Sequence, residues 1–384
     1  MTDGLSAAAS HFRDAYGLGD TPEQAIDAAL ARLVTSQGES ERPPPGLGVV
    51  YVNEAMWPLQ DRLVPLLRQR TGVQRWIGTV GGGIISGSRE FYDRPAVALL
   101  LANLTEDRMQ AIDPGGLPPS SAGLGPRLGI VHGDPRSPGL TDGLMALAGA
   151  ESYLVGGLAG GADRFVTFGE RVYDAPAGHG LSGVLLDGTL PVAVGLTQGC
   201  SPVGPVRRIT SAERNVVAEL DGRPALEVLK EDVGELLARD LRRAAGYIHV
   251  AFPLQNSDRS DYLVRNLVGI DAERGLIAVG EAVEPGRAMV FVRRDPASAR
   301  KDLERMLTDT LARAKSAPKA ALYFSCVARG RSLFGEEGLE ATLVQQALSR
   351  ANGGSEVPTI GFFGNGEICH DRLYGYTGVL TLFL

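Results

Sequence analysis

Hydrophobic positions along this chain follow two rhythms in turn, and the sequence of rhythms recurs three times. Apolar runs at residues 47–52, 128–131 and 320–327 have the content of buried strands. Each is followed by a stretch of helical period: Leu59, Leu63, Leu66 and Leu67, then Leu140, Leu144, Leu147 and Ala148, then Leu339, Leu343, Val344 and Ala347. Next comes a strand that ends in glycines. The three versions are Val80-Gly81-Gly82-Gly83-Ile84-Ile85, Val155-Gly156-Gly157-Leu158-Ala159-Gly160 and Gly361-Phe362-Phe363-Gly364-Asn365-Gly366-Glu367-Ile368. A further apolar strand closes each unit at 96–101, 183–186 and 379–384. The inferred unit is β-α-β-β, too long for a solenoid repeat. It predicts an α/β (α+β) fold in which repeated units form mixed sheets flanked by helices, in two related domains. Pro65 opposes a helix in the first copy, because a proline inside a helix removes a hydrogen bond and crowds the preceding turn.

Between the repeats the pattern changes. Residues 11–34 predict an N-terminal helix, with Thr21 as cap, Pro22 at the first helical position, Gln24 three residues after the cap, and one apolar face of Ile26, Ala29, Leu30 and Leu33. Residues 36–46, with Pro43-Pro44-Pro45, read as a polar linker. Residues 224–245 predict a long charged helix with Leu226, Leu229, Val233, Leu236, Leu237 and Leu241 inward, a bridge to a second domain. Strands follow at 247–252, 262–268, 276–279 and 288–292, with Asn256-Ser257-Asp258 as one of the separating turns, and then a helix at 302–314. The division is residues 1–46 as helix and linker, 47–225 as the first domain and 226–384 as the second.

Composition narrows the function classes. A net charge of -7 over 384 residues provides no basic field for nucleic acid. No apolar run reaches the ~18 to 20 residues of a membrane span, and the start lacks a basic segment followed by an apolar one, so a cytoplasmic protein without a membrane partner is expected. Cys200, Cys326 and Cys369 are too few for a disulfide framework and lack CxxC spacing. The five histidines, His11, His132, His179, His249 and His370, have no metal-site spacing. No cofactor is expected either: GxGxxG and GxxxxGK[ST] are absent, and the glycine strands lead into strands rather than helix N-termini.

Candidate chemistry gathers at strand ends. Asn365 and Glu367 sit among glycines that leave polar side chains unobstructed. Arg329 and Arg331 flank Gly330 just past a strand, at the rim that Glu367 would share. Arg265 lies in the apolar run 263–268, where a buried guanidinium without a partner would be costly. Gly199 before Cys200 and Pro202 after it suggest a tight turn presenting the thiol, against the alternative of a buried thiol acting as a small apolar residue. Cys369-His370-Asp371 resembles a triad on paper, but neighbours on a strand point to opposite faces.

Together these segments resemble the FIST family, a two-domain ligand-sensing module of bacterial signalling proteins that is attached in eukaryotes to F-box proteins. The first domain is suggested by Val155-Gly156-Gly157, by residues 198–204 (Gln-Gly-Cys-Ser-Pro-Val-Gly) and by 220–225. The second is suggested by 261–266 (Asp-Tyr-Leu-Val-Arg-Asn), by 325–331 (Ser-Cys-Val-Ala-Arg-Gly-Arg) and by the motif from Gly361 to Ile368, which with Cys369-His370-Asp371-Arg372 is most similar to the F-box branch. Where relatives tend to carry a Gly-Glu-Ile ending in the first repeat too, this chain has Gly82-Gly83-Ile84. The resemblance implies small-ligand binding, amino acids being the usual proposal, and signalling through output domains. None fits before Leu47, so the expected output is a separate signalling protein in trans.

The expectation is therefore a non-enzymatic sensor. An amino acid or related small acid needs a cation for its carboxylate, from Arg329, Arg331 or Arg265, and an anion for its ammonium, from Glu367 or Asp261. Asn365, Gly199 and Cys200, and Cys326 complete the candidate set. A protein-interaction scaffold with structural glycine loops is the alternative. A thiol-dependent hydrolase or transferase using Cys200 or Cys326 is the third reading.

Overall fold

A computed structural model describes residues 12–35, 46–116, 127–149, 152–162, 164–234, 247–254 and 262–384. The chain forms two compact units. One gathers the described residues up to Thr197 with Glu304–Leu373 and Thr377–Leu384; the other consists of Gln198–Leu303 and Tyr374–Tyr376. Both units therefore take residues from either side of position 225, the division between the two sequence domains.

The first unit is three copies of one module. Module 1 runs β1 (Phe12–Leu18), α1 (Pro22–Thr35), β2 (Leu47–Asn53), α2 (Gln60–Thr71), β3 (Arg75–Gly81), β4 (Gly83–Ser86), β5 (Arg89–Phe91) and β6 (Ala96–Ala102). Module 2 runs β7 (Met109–Ile112), β8 (Arg127–Gly133), α3 (Leu140–Ala148), β9 (Ser152–Leu158), β10 (Thr167–Phe168), β11 (Val172–Tyr173) and β12 (Leu181–Asp187). Module 3 opens with β13 (Val192–Gln198) and is then interrupted by the second unit.

That unit contains β14 (Cys200–Pro202), β15 (Arg207–Glu213), β16 (Val216–Leu220), β17 (Arg223–Pro224), α4 (Ala225–Val233), β18 (Ile248–Pro253), β19 (Tyr262–Asp271), β20 (Leu276–Val279) and β21 (Ala288–Arg294). Then α5 (Pro296–Arg313) leads back to module 3: β22 (Ala320–Cys326), α6 (Arg331–Phe334), α7 (Leu339–Ala351), β23 (Thr359–Gly364), β24 (Glu367–Cys369), β25 (Arg372–Tyr374) and β26 (Thr377–Phe383).

Each module builds the same sheet centre. The strand before the helix pairs in parallel with the glycine-ended strand after it: β2 with β3, β8 with β9 and β22 with β23. The closing strand then returns antiparallel to the first, as β6, β12 and β26 do. Helical crossovers are what parallel pairs require. The register shows that the repeat is structural. Gly78, Gly156 and Gly361 lie opposite Val50, Val131 and Tyr323, and a Cβ on each would sit 1.7, 1.8 and 1.8 Å from that residue's carbonyl oxygen.

Between the glycine strand and the closing strand each module makes a hairpin, and none of the three hairpins joins its own sheet. The β4–β5 hairpin of module 1 pairs with β23 of module 3, β24–β25 of module 3 pairs with β9 of module 2, and β10–β11 of module 2 pairs with β3 of module 1. Every open edge left by a parallel pair is thus covered by a neighbour. The strand ends meet in a ring of three backbone hydrogen bonds. Gly82 N–H donates to the Phe363 carbonyl (2.9 Å), Asn365 N–H to that of Leu158 (3.2 Å) and Gly160 N–H to that of Val80 (2.8 Å). Beneath it lie Tyr51, His132 and Phe324, which hold the same position in the three first strands, with Phe362 packed among them at ring distances of 4.9 to 5.9 Å.

The second unit is a closed antiparallel barrel. Its strands run β21-β15-β16-β20-β19-β18, and β18 pairs back to β21. Ala225, Leu226, Val228 and Leu229 of α4 join its core with Ile209, Val217, Phe252 and Phe291. The expected bridging helix is therefore, over Ala225–Val233, part of the barrel core; residues 235–246 lie outside the described residues, as do the 36–45 part of the predicted linker and the 256–258 turn.

Two further expectations are corrected. Of the N-terminal helix, 12–18 is strand β1, antiparallel to β6, and the helix starts at Pro22, where the Thr21 hydroxyl accepts from Gln24 N–H (3.3 Å). The capping signal marks the true start, and what precedes it is extended. Helix α2 runs through Pro65. Among the described residues no helix is long and apolar enough to cross a membrane.

The ring makes a direct prediction. A Cβ at Gly160 would lie 2.1 Å from the Phe363 oxygen and 2.6 Å from Gly82 N, whereas one at Gly115 meets nothing within 4 Å. Gly160→Ala is expected to lose about 3 kcal/mol or more by urea unfolding, and Gly115→Ala less than about 0.5 kcal/mol. Equal stabilities would show that the ring does not constrain the fold.

Candidate functional site

The densest polar chemistry lies at the carboxyl ends of β22 and β23, where ligands of open α/β sheets commonly bind. After Cys326 the chain turns tightly, with Arg329 N–H donating to the Cys326 carbonyl (2.8 Å), and α7 then begins beside it. Arg329 is only 1% exposed and Glu340, in the first turn of α7, is fully buried. Glu340 accepts from the Tyr323 hydroxyl (2.5 Å), the Ser325 hydroxyl (3.2 Å), Arg329 Nε (2.8 Å) and Gly330 N–H (3.1 Å). Arg329 Nη2 lies 2.6 Å from the same carboxylate. Burial opposes the Arg329 charge, but Glu340 and Tyr323 outweigh it and hold the guanidinium more firmly protonated than usual.

Glu367 joins this cluster from β24. It is fully buried, and one oxygen, Oε2, accepts both Thr377 N–H (3.1 Å) and the Thr377 hydroxyl (2.6 Å), while Oε1 has no hydrogen-bond partner. Burial pushes its carboxyl from the ordinary 4.5 up to about 8, against the smaller downward pull of Thr377 and Arg329. Glu90, from the exchanged hairpin of module 1, accepts from Tyr92 (2.7 Å) and Ala341 N–H (3.2 Å), and burial raises its carboxyl as well.

Of the expected ligand residues, the structure brings Arg329 and Glu367 together in a closed cluster. The others are engaged elsewhere. Asn365 Nδ2 donates to the carbonyls of Ala159 (3.0 Å) and Gly161 (3.3 Å), bracing module 3 against module 2. Arg331 pairs with Asp93 (2.6 Å) and Glu337 (2.8 Å) and lies 4.2 Å over the Tyr92 ring. Cys326 ends β22 and is buried.

Gly199, Cys200 and Arg265 belong to the second unit. Arg265 has its partner there, Glu281 at 2.5 Å. Cys200 is not presented by a turn: it opens β14 and is buried in an apolar patch with Ala251, Val264, Val290 and Val292. His249 is two strands away across β21, about 10 Å by strand spacing alone, too far to activate the thiol. Asp261 lies outside the described residues.

The Cys369-His370-Asp371 reading is corrected in one respect. His370 has φ 60°, so this is a turn and not a strand, and His370 Nδ1 reaches Asp371 Oδ1 at 2.9 Å. The Cys369 thiol lies 3.3 Å from the Tyr153 hydroxyl. Sequence reasoning passed over Glu340, although 340, 344 and 348 form one helix stripe with Val344 and Leu348, and a carboxylate on an apolar stripe signals a buried partner.

An open site lies elsewhere in the first unit. A groove of about 300 Å³ runs where the β10–β11 hairpin has joined the module 1 sheet, lined by Arg68, Gln74, Arg75, Trp76, Glu106 and Glu170 among others. Arg68 fixes its wall by donating to the carbonyls of Gln74 (2.7 Å) and Glu170 (3.0 Å). Among the described residues Arg75, Glu106 and the Glu170 carboxylate make no ion pair.

Two family models match this chain one after the other, the FIST N domain over residues 46–223 and the FIST C domain over 225–370. The chain belongs to the FIST family. FIST domains are in general sensory domains of signal transduction, not a known enzyme family. The boundary between the two FIST models falls between β17 and α4, inside the barrel unit, so each unit draws on both. Relatives include an uncharacterized protein of Mycobacterium tuberculosis, 34% identical over 344 residues, covering 80% of this chain and 83% of the relative. Another, from Mycobacterium bovis, is 30% identical over 404 residues and covers 97% and 99%.

The ion cluster sets an expectation for stability. Arg329→Ala leaves the Glu340 carboxylate buried without its cation and should cost about 3 to 5 kcal/mol in urea unfolding, while Arg329→Met combined with Glu340→Gln should recover most of it. A single variant within about 1 kcal/mol of wild type would show that the pair is not held as described.

Proposed function

We propose that this chain is a non-catalytic sensory protein that binds a small polar molecule, an amino acid or related small acid, and signals through a separate protein in the cytoplasm. The observation that carries this reading is the groove between modules 1 and 2. Its volume of about 300 Å³ suits a ligand of amino-acid size. Arg75 offers a cation to a carboxylate, and Glu106 or Glu170 an anion to an ammonium. Charge-assisted hydrogen bonds contribute about 1.5 to 3 kcal/mol each, so three approach the roughly 8 kcal/mol of micromolar binding before ordering is subtracted. The site moves here from the glycine strand ends because Arg329 and Glu367 are enclosed.

A second reading, an interaction scaffold, is favoured by the closed ring and the filled aromatic centre beneath it, which make those glycines structural. A thermal-shift panel of amino acids and small acids separates the two. A ligand at 100 times its Kd should add about 2.7 kcal/mol and raise the midpoint by a few degrees. Arg75→Ala and Glu106→Gln should abolish the shift, and Glu367→Gln should keep it. If no compound moves the midpoint, or Arg75→Ala leaves a hit intact, the groove is not the sensory site.

A further inference from the structure

Three carboxyl groups are enclosed at the end of module 3, Glu340, Glu367 and Glu90, beside one guanidinium, Arg329. Their hydrogen bonds show which carries negative charge. Glu340 receives four donors and lies 2.6 Å from Arg329, so the pair is internally neutral. Glu367 is served on one oxygen only, and its Oε1, like Arg329 Nη1, is buried without a hydrogen-bond partner. A carboxylate there would be a second buried anion beside a single cation already paired with Glu340, which costs far more than burying the neutral acid.

Its position gives that proton a mechanical meaning. Glu367 is the first residue of β24, pairs with Gly157 of β9, and is tied by Thr377 to the start of β26. Its backbone thus docks the exchanged β24–β25 hairpin on the neighbouring module, while its carboxyl is buried at the hairpin base and closes that base against β26. We propose that Glu367 is a proton-binding site that works as a latch: with its carboxyl protonated the hairpin stays docked on β9, and loss of the proton to solvent releases the hairpin.

The groups around it leave this assignment intact. From the turn after β22 comes Arg329, already engaged by Glu340 of α7 and assisted by Tyr323 of β22. From β5 and the residue after it come Glu90 and Tyr92, bonded to each other. Along the same row of the sheet, across Gly157, lies His132 of β8; burial holds it neutral, down to about 3, with its Nε2 3.0 Å from the Tyr51 hydroxyl. On β24 itself Cys369 meets Tyr153, and the hairpin tip carries the exposed His370 with the half-buried Asp371 and Arg372. None supplies a second buried cation.

The sign of the pH dependence follows. The folded chain holds the Glu367 proton up to about pH 8, against 4.5 when exposed. Its contribution to stability is complete below about pH 4.5 and is lost as pH rises through about 8.

Amide hydrogen exchange on the full chain, corrected for intrinsic rates, tests the latch. Protection of residues 367–374 should fall about tenfold or more between pH 7 and 9.5, while Glu367→Gln, which keeps the shape of the neutral acid, should hold it within about twofold. Infrared spectra of wild type should show a protonated carboxyl band at pH 7 that disappears by about pH 9.5 and is missing from the variant. Unchanged wild-type protection, an equal loss in Glu367→Gln, or no such band would overturn the proposal. The infrared result on wild type decides even if the variant does not fold.

Discussion

Everything in the first unit depends on one exchange: each module lends its hairpin to a neighbour and receives one from the other. A parallel pair with a helical crossover leaves an open strand edge, and an open edge left to itself is a site of aggregation. Here the edge is completed from another part of the chain, so no module has a complete sheet alone. The glycines at the strand ends follow from this. Three backbones converging closely enough for a three-membered hydrogen-bond ring leave no room for side chains.

The buried ion cluster is a consequence of the same convergence. Where module 3 receives the hairpin of module 1, Glu90 caps Ala341 N–H, Arg331 pairs with Asp93, and Gly330 lies too near the Tyr92 hydroxyl to accept a side chain. A buried pair such as Arg329 with Glu340 adds little net stability, since desolvation offsets the attraction, but it penalises any arrangement that separates the partners. The open groove lies at the corresponding junction of modules 1 and 2, where the charges stay solvated and available.

Much of this architecture was legible in the sequence. The threefold β-α-β-β repeat could be read because each copy carries its own strand, helix and glycine signals. The exchange could not, because Gly83-Ile84-Ile85-Ser86 is a strand that fits any compatible edge, and only long-range pairing selects β23. The glycine neighbours of Arg329 and Glu367 marked the strand ends where the two meet, but not that the fold encloses both. Glu340 was hidden within a helix stripe that counts as apolar around it. Arg75 and Glu106 carried no local signal at all, being charges on module 1 and on the connection to module 2 until the fold sets them along one groove.

The exchange also has a temporal side. During synthesis β3 can take its hairpin from module 2 soon afterwards, but the β4–β5 hairpin has no sheet edge to join until β23 emerges, far later in the chain. The ring of hydrogen bonds closes only then, because Phe363 and Asn365 complete it. Until then the β4–β5 hairpin and the edge of β9 lack their partners, which lengthens the period during which unpaired edges are exposed. A chain cut anywhere before β23 therefore loses more than its last module: it also takes from the first two the strands that complete their hairpin, their edge and their ring.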